Sequence, residues 1–358
     1  MGGAVMARPE PRRRAGLAGA RGTARGPGRG RNFKREGSGF MRILITGAAG
    51  FIGSQITRRL ARDGHEILAV DNLSFGRESS LPEEAVLKRL DLAACSSTEL
   101  MEAVEGFQPD GAIHFAAIHF IPYCMSHPDE TFATNVRGTE LVLRALERTP
   151  ARKVVFASTM DVYAAEDRVH RETDQPAPVN AYGLSKLLGE TLLAYATRTS
   201  DRLSGVALRF ANAFGPGETN PHLIPDALSR MRDRSQPEIR MGYLGATRDF
   251  IHVADIADAA IAALFQDTGR FEVFNVASAA PTPVRDVVET IRRLVGDPRP
   301  VVEDQKQFRK FDRPSLSADT GKIRSALGWT PKWSLEEGLR DLVRRTVASE
   351  PRPLSKIA

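Results

Sequence analysis

The sequence predicts an α/β protein built on a Rossmann-type, doubly wound parallel sheet with a smaller C-terminal substrate-binding lobe. Three observations support this fold class. Short apolar runs alternate with longer amphipathic stretches, a glycine-rich turn follows the first run, and the regular alternation weakens after Phe210. Strands that alternate with helices form parallel sheets, because each crossover helix packs on a face of the sheet.

The apolar runs predict strands, and the amphipathic stretches predict helices. The predicted strands are 42–46, 66–70, 87–90, 112–115, 153–156, 206–210, 250–253 and 274–276. The predicted helices run from the glycine turn to about residue 62, within 127–148, over 180–198, near 225–234, over 254–265 and near 284–295. We expect the strands at 250–253 and 274–276 to rejoin the main sheet.

Size, apolar content and cysteine usage exclude several protein classes. The 358 residues suffice for one large domain or two smaller ones. No apolar run approaches the roughly 18 residues that a membrane span needs. Cys95 and Cys124 form no CxxC pair and have no histidine cluster at ligand spacing. We therefore expect neither a disulfide framework nor a metal site, and a cytoplasmic location.

The net charge of +6 comes from the first 40 residues, which contain nine Arg, one Lys and two Glu and so carry +8. The remaining chain carries −2, so we expect no nucleic-acid or membrane partner for it. The tail 1–40 is rich in Gly, Arg and Pro and is expected to be disordered. Our hypothesis is that translation starts at Met41, which leads directly into the first predicted strand; a transit peptide and an RNA-binding arm are the alternatives.

The turn after the first predicted strand has the sequence of a phosphate-binding loop. Gly47, Gly50 and Gly53 lie between a strand and a helix, where small residues permit a tight turn and close backbone approach to a pyrophosphate. The N–H groups of the following helical turn suit that anion. The predicted domains are a dinucleotide-binding domain over 41–210, to which 249–277 returns, and a substrate-binding lobe over 211–248 and 278–345.

The second predicted strand ends at Asp71, twenty-four residues after Gly47. A carboxylate at this position accepts hydrogen bonds from ribose hydroxyls and repels a 2′-phosphate, so NAD is favoured over NADP. Arg77 lies near enough in sequence to keep NADP open as the alternative. Asp91, at the end of the third strand, is a candidate contact on the adenine side or a solvent-facing strand end.

Tyr182 and Lys186 are four residues apart in a predicted helix and therefore share one of its faces. An ammonium near a phenol is expected to lower the pKa of the tyrosine and make it a usable acid and base. Ser158 and Thr159 follow the preceding strand, and we expect both hydroxyls to reach the same pocket as donors to a substrate oxygen.

With these residues in place, the sequence resembles the extended short-chain dehydrogenase/reductases, specifically the nucleotide-sugar epimerase/dehydratase family and its UDP-glucose 4-epimerase-like members. The resemblance covers nearly all of residues 41–345. The motifs that carry it are TGAAGFIG (46–53), VDNL (70–73), HFAA (114–117), NVRGT (135–139), FASTMDVY (156–163), YGLSK (182–186), LRFANAFGPG (208–217) and RDFIHVADIADA (248–259).

This resemblance implies roles for individual residues. The implied cofactor contacts are Gly47, Gly50, Phe51, Ile52, Gly53, Asp71, Asn72, Asp91, Leu92, Phe115, Ala116, Ala117, His119 and Asn135, together with Tyr182 and Lys186. The implied contacts to the substrate diphosphate are Asn212, Arg248, Arg309 and Asp312. Thr159 matches the hydroxyl that completes the catalytic triad and contacts substrate, and UDP-galactose epimerases often carry Lys where His119 stands. The family also implies a homodimer.

This chain has Thr159, Met160 and Asp161 in succession. The resemblance implies that dehydratases and decarboxylases of this family carry Thr-Asp-Glu or Thr-Ser-Glu at the same three positions. Met160 cannot donate a proton, which counts strongly against dehydration. Asp161 takes the place of the dehydratase base but is one methylene shorter. A chemical role and a surface or capping role both remain open for it.

The leading hypothesis is therefore an NAD-dependent nucleotide-sugar 4-epimerase that acts on a UDP-hexose or UDP-uronic acid through a transient 4-keto intermediate. A decarboxylase, dehydratase or dehydrogenase of the same family is the alternative. A non-catalytic NAD-sensing regulator is remote, because Tyr182 and Lys186 are both present. Residues 119–124 and 218–222 differ from common galactose epimerases and are expected to border the sugar, with His119 and His222 as polar lining rather than proton-transfer groups.

Overall fold

A computed structural model of the chain describes residues 40–308 and 313–348. Apart from Phe40, the basic tail lies outside the described residues, and so do Arg309 and Asp312. The predictions made for them therefore stay predictions.

The described strands follow the predicted order, with several short strands added after Phe210. They are β1 (Arg42–Thr46), β2 (Glu66–Asp71), β3 (Ala85–Arg89), β4 (Gly111–His114), β5 (Lys153–Thr159), β6 (Val169–His170), β7 (Ser204–Phe210), β8 (Asn212–Phe214), β9 (Ile239–Met241), β10 (Thr247–Arg248), β11 (Phe250–His252), β12 (Phe271–Val276), β13 (Thr282–Pro283), β14 (Val301–Glu303) and β15 (Ser315–Ala318).

The described helices alternate with these strands in the first half of the chain. They are α1 (Phe51–Arg62), α2 (Ser97–Phe107), α3 (Ile121–Ser126), α4 (Pro128–Phe132), α5 (Gly138–Leu146), α6 (Ala181–Thr199), α7 (Leu223–Arg232), α8 (Val253–Phe265), α9 (Val284–Leu294), α10 (Gly321–Leu327) and α11 (Leu335–Ala348). A π-helical turn over Ala133–Arg137 joins α4 to α5.

In the described part of the chain, seven parallel strands form the main sheet in the order β12-β7-β5-β4-β1-β2-β3. The strand order reverses between β1 and β4, whose carboxyl ends meet where Thr46 pairs with His114. In doubly wound sheets, ligands bind in the crevice at such a reversal. The predicted fold class is confirmed.

Apolar clusters cover both faces of the main sheet. Ile43 and Ile45 belong to one cluster and Leu44 to the other, because successive side chains of a strand point to opposite faces. Helices α1 and α8 pack on the first face, and α2, α5 and α6 lie on the second. Burial on both faces explains why β1 appears in the sequence as an unbroken apolar run.

The prediction that strand 250–253 rejoins the main sheet is wrong, whereas Phe271–Val276 does join it, as β12 beside β7. Phe250–His252 instead pairs in parallel with β8, the short strand that follows β7 after Ala211. The main-sheet position beside β7 is taken by β12. A three-residue apolar run carries no information about which strand it pairs with, so the sequence could not decide this.

A third apolar cluster contains Phe214, Ile224, Val287 and Leu339, and helices α7, α9 and α11 pack around it. Several apolar residues from beyond residue 210 belong to the first cluster instead, among them Leu316. The division of the chain into two domains therefore stays a prediction.

Candidate active site

A cleft of about 660 Å³ opens at the carboxyl ends of the main-sheet strands. It brings most of the predicted cofactor and catalytic residues into one site. The predicted residues that line it are Gly47, Gly50, Phe51, Ile52, Gly53, Asp71, Asn72, Asp91, Leu92, Phe115, Ala116, Ala117, His119, Thr159, Tyr182, Lys186 and Asn212.

The glycine loop has a geometry that only glycine permits. Gly47 has φ +69°, and a Cβ there would lie 2.6 Å from the backbone N of Ala116. A Cβ on Gly53 would lie 1.9 Å from the carbonyl oxygen of Gly47. Within the described residues no side chain caps the N-terminus of α1 at Gly50, so the N–H groups of its first turn are available to an anion. The loop therefore fits a dinucleotide pyrophosphate.

Asp71, at the end of β2, is buried and fixed against the glycine loop. One carboxylate oxygen accepts a hydrogen bond from Ala49 N at 2.9 Å, and the other accepts one from Leu73 N at 2.8 Å. A carboxylate has about four acceptor sites, so both oxygens can still accept from ribose hydroxyls. The side chain is thus oriented for a ribose by the protein alone.

Asn135 does not line the cleft but lies directly behind its wall. Its side-chain oxygen accepts from Ile118 N at 2.8 Å, and its side-chain nitrogen donates to Ile118 O and to the hydroxyl of Ser185. Asn135 is part of the π-helical turn, an irregularity often found at functional sites. It therefore positions the 115–119 wall relative to α6.

A buried hydrogen-bonded chain that the sequence analysis missed links three motifs. Thr46 donates to His114 Nδ1 at 2.6 Å, His114 Nε2 donates to Thr139 at 2.9 Å, and the Thr139 hydroxyl donates to Asn135 O. Burial lowers the pKa of His114 to about 3, so its ring is neutral. The motifs TGAAGFIG, HFAA and NVRGT contain these residues. The sequence does not show that the side chains hydrogen bond to one another, because the motifs are far apart in the chain.

Tyr182 is placed by the start of α6. Asn180 caps this helix by accepting from Gly183 N at 2.7 Å. A Cβ on Gly183 would lie 2.2 Å from the carbonyl oxygen of Asp161, so the glycine lets the first turn of α6 lie against the chain that follows β5. Thr159, the last residue of β5, thereby lies beside Tyr182 in the cleft wall. Lys186 is buried, with its ammonium 4.9 Å from the centre of the Phe156 ring.

The pKa of Tyr182 shifts in the opposite direction to the one expected from a nearby Lys186. Burial raises the pKa of the Tyr182 phenol, and the Asp161 carboxylate raises it further, against a smaller lowering by the Thr159 hydrogen bond. Burial also lowers the pKa of Lys186 to about 7. Both effects have the same physical reason, since the cleft wall removes the hydration that stabilises the charged form of each group.

Ser158 lines the cleft as expected, but its hydroxyl already has a protein partner. The hydroxyl donates to Glu190, which also accepts two hydrogen bonds from Arg209 at 2.9 and 2.7 Å. Ser158 therefore belongs to a buried ion-pair network, whereas Thr159 lies beside Tyr182.

Asp161 lies in the cleft wall rather than on the outer surface, with its side chain 16% exposed. Its carboxylate accepts from Asn180 Nδ2 at 3.2 Å and lies 3.7 Å from a guanidinium nitrogen of Arg313. Met160 is fully buried in the apolar core. The two residues after Thr159 thus differ in placement: only Asp161 can reach a ligand.

The segments 119–124 and 218–222 meet on the far side of the cleft. Asn220 donates to His119 Nε2 at 2.9 Å, and the rings of His119 and His222 stack with centres 5.5 Å apart. Burial lowers the pKa of His119 to about 4, with a further contribution from the Lys186 charge. A neutral His119 that already accepts a hydrogen bond agrees with a lining role.

Arg248 does not line the described cleft. Its guanidinium donates to the carbonyl oxygens of Thr247, at 2.9 Å, and Arg313, at 2.7 Å. A contact between Arg248 and a substrate diphosphate therefore stays a prediction.

Across residues 40–308 and 313–348, helices fall short of the length and apolar character needed to cross a membrane. The same residues contain no group of three or more His, Cys, Asp or Glu side chains placed to hold a metal ion. Cys95 and Cys124 are buried free thiols.

Comparisons with known proteins agree with this geometry. Residues 43–277 match the NAD dependent epimerase/dehydratase family. The chain is similar to a UDP-glucose 4-epimerase of Azospirillum brasilense, with 33% identity over 317 residues that cover 83% of this chain and 89% of the relative. A Thermotoga maritima UDP-glucose 4-epimerase solved with UDP-glucose superposes with a TM-score of 0.80 at 28% identity, covering 86% of this chain and 100% of that one. MoeE5, solved with UDP-glucuronic acid and NAD, superposes with a TM-score of 0.75 at 29% identity, covering 86% and 99%.

Proposed function

The chain belongs to the NAD dependent epimerase/dehydratase family, and we propose that it is a nucleotide-sugar 4-epimerase with Tyr182 as its acid and base. The observation that carries this proposal is the placement of Thr159 and Tyr182 beside the buried Lys186, in the same cleft as the glycine loop. The substrate we propose is a UDP-linked hexose or uronic acid, since similar structures were solved with both kinds of sugar nucleotide.

NAD is the cofactor of this family, and the glycine loop supports its binding. Gly47, Gly50 and Gly53 would hold the pyrophosphate, because a Cβ at the first or third position would fill the cradle. Asp71 would accept from the ribose. When bound, NAD would supply reversible hydride transfer at C4 of the sugar.

The chain's own residues supply the proton transfer in this proposal. Tyr182 exchanges a proton with the C4 hydroxyl, and Thr159 lies beside the phenol in the cleft wall. A group with a raised pKa holds its proton firmly, so Tyr182 is the protonated acid. It becomes a base only where positive charge is close, and Lys186 is the buried cation on the same face of α6.

The placement of Met160 supports epimerisation over dehydration. Dehydration needs an additional acid next to the triad, and the fully buried Met160 side chain has no proton to give. Asp161 does lie in the cleft, and this placement keeps a decarboxylase or dehydratase as the second candidate.

The test is to incubate the full chain with a panel of UDP-, dTDP-, GDP- and CDP-sugars and to resolve products by ion-pair chromatography with mass detection. A new peak of unchanged mass, with no net change in NADH, is the expected result. A product lighter by water or carbon dioxide would overturn the epimerase proposal in favour of the second candidate. Net accumulation of NADH would instead indicate a dehydrogenase.

We also propose a homodimer that buries the exposed face of α6. Leu184, Leu188 and Tyr195 lie four and seven residues apart on this helix, and their side chains are 41%, 38% and 60% exposed. This spacing places them on one helical stripe. Sedimentation analysis should give a dimer that Leu188→Glu converts to a monomer; a monomeric parent protein would contradict the proposal.

A further inference from the structure

We propose that Asp161 determines the sugar class, and that it restricts the site to neutral hexoses by occupying the position that a sugar carboxylate would need. This inference rests on the proposed function, since it assumes a nucleotide-sugar substrate and chooses between the neutral and the anionic class. Asp161 is then a specificity-determining residue rather than a second base.

The first argument is the distance of Asp161 from the reacting centre. The backbone N of Asp161 donates to the Thr159 hydroxyl at 3.1 Å, and that hydroxyl lies 3.5 Å from the Asp161 carboxylate. Thr159, Asp161 and Tyr182 line the same cleft, and the Asp161 carboxylate is close enough for its charge to raise the pKa of the Tyr182 phenol. In a hexose, the carbon that bears the C6 group is bonded to C4. A C6 carboxylate therefore lies in the neighbourhood of Tyr182, where Asp161 already places a negative charge.

The second argument is how the Asp161 carboxylate is held. Asn180 donates to it at 3.2 Å, and a guanidinium nitrogen of Arg313 lies 3.7 Å away. Arg313 is 5% exposed and also donates to the carbonyl oxygens of Ala164 and Asp161. An amide donor and a guanidinium are the groups that would recognise a substrate carboxylate. Here an internal carboxylate already occupies them.

The third argument is the shortage of other cations in the cleft. Among the lining residues that the structure describes, Lys186 carries the one ammonium or guanidinium group. The described lining carries five carboxyl groups, those of Asp71, Asp91, Glu130, Asp161 and Glu218. A uronic acid would add a third negative charge to the two of the diphosphate, close to Asp161 and without a free described cation to meet it.

The opposite wall supports the same conclusion from an independent residue. Asn220 is 4% exposed, and its side-chain oxygen is a buried acceptor without a hydrogen-bond partner among the described residues. An acceptor that lacks a donor suits a hydroxyl group of a neutral sugar, whereas it repels a carboxylate oxygen.

Replacing Asp161 with glycine should therefore change the preferred sugar. The variant exposes Arg313, whose Nε is buried and lacks a hydrogen-bond partner in the described part of the chain, together with the amide of Asn180. A sugar carboxylate can then take the place of the missing side chain. The expected gain requires the guanidinium, so the double variant Asp161→Gly/Arg313→Gln should lose it.

The experiment measures kcat and KM for UDP-glucose and UDP-glucuronic acid with the full chain and its variants. We expect the parent protein to prefer UDP-glucose, and Asp161→Gly to raise the uronate-to-hexose ratio of kcat/KM by at least tenfold, mainly through KM. Glu130→Gln is the matched control. This variant also removes one carboxylate from the cleft lining, but the Glu130 carboxylate is exposed and accepts a hydrogen bond from the Tyr123 hydroxyl. The uronate-to-hexose ratio of kcat/KM should therefore stay within twofold of the parent value.

Two results would overturn the inference: a parent protein that converts both sugar nucleotides equally well, or a folded Asp161→Gly variant with an unchanged ratio. Removal of one partner of a buried ion pair can impair folding. Asp161→Asn, which keeps the side-chain shape, then serves as the second variant, with an expected threefold rise. If the parent protein converts no sugar nucleotide, the proposed function fails on its own. The uronate-to-hexose preference is then measured as the ratio of the dissociation constants of the two ligands. A ratio that Asp161→Gly leaves unchanged would overturn the inference as well.

Discussion

The two ends of the cleft differ in how completely the protein satisfies their polar groups. At the cofactor end, Asp71 accepts two backbone hydrogen bonds, and His114 lies between two threonine hydroxyls. At the sugar end, the side-chain oxygen of Asn220 and the Nε of Arg313 are buried without hydrogen-bond partners among the residues that the structure describes. The protein itself thus orients the polar groups of the cofactor end, while polar groups at the sugar end are left for a ligand to satisfy. Substitutions at the cofactor end should reduce cofactor affinity and protein stability, and substitutions at the sugar end should change substrate selectivity.

The largest effect is expected from Gly53→Ala at the cofactor end. The added Cβ would lie 1.9 Å from the backbone oxygen of Gly47, which cannot move without distorting the whole loop. Isothermal titration should show NAD affinity reduced by at least about a thousandfold, equivalent to roughly 4 kcal/mol. Gly50→Ala is the control, since its Cβ would meet the same oxygen at 3.2 Å and should cost much less. Equal losses in the two variants would contradict this account of the loop.

Tyr182→Phe probes the junction between the two ends. Loss of the hydroxyl removes the proposed acid and base, and kcat should fall by about 10²- to 10⁴-fold. NAD affinity should change by less than about threefold, because the cofactor end is held by other residues. A variant with near-parental kcat would rule out the role proposed for Tyr182.

Thr139→Val tests whether the cofactor end owes its order to the buried chain through His114. The substitution keeps the side-chain shape but leaves His114 Nε2 without its acceptor. A buried polar group without a partner costs about 1 to 3 kcal/mol, so urea unfolding should show a loss in this range. Thr191→Val on α6, whose hydroxyl is exposed and bonds only to Leu187 O, should lose less than about 0.5 kcal/mol. If both variants lose the same free energy of unfolding, the hydrogen-bonded chain through His114 is not the cause of the loss in Thr139→Val.

The smallest effect is expected at the sugar end, from Glu218→Gln. Because burial raises the pKa of Glu218 in the folded state, that state holds the proton to higher pH than the unfolded chain does. The parent protein should therefore lose stability as the pH rises from the unfolded value of about 4.5 through the raised folded value. The variant lacks this loss, and urea unfolding should find it more stable by about 1 kcal/mol at pH 8 and unchanged at pH 4. A variant that is less stable at pH 8 would show that Glu218 is satisfied in the folded protein.

Much of the cofactor end could be predicted from the sequence, because its determinants are local. The strand, the glycine turn and the helix follow one another without interruption, and the backbone geometry of such a turn restricts which residues it accepts. The start of helix α2 could also be predicted from the sequence, because Ser96 and Glu99 have the spacing of a capping box, which they form in the structure. The end of the second strand at Asp71 follows from the same local periodicity.

The sequence by itself determined the fold class, the phosphate loop and the pairing of Tyr182 with Lys186 on one helix, since each depends on residues close together in the chain. The tertiary structure alone decided where the other polar side chains point. Ser158 turns to Glu190, and Asp161 meets Arg313, 152 residues further along the chain. The physical reason is that a polar side chain takes its role from its hydrogen-bond partners and its burial. Both are set by which distant elements the fold brings together, and the residue types alone do not specify that.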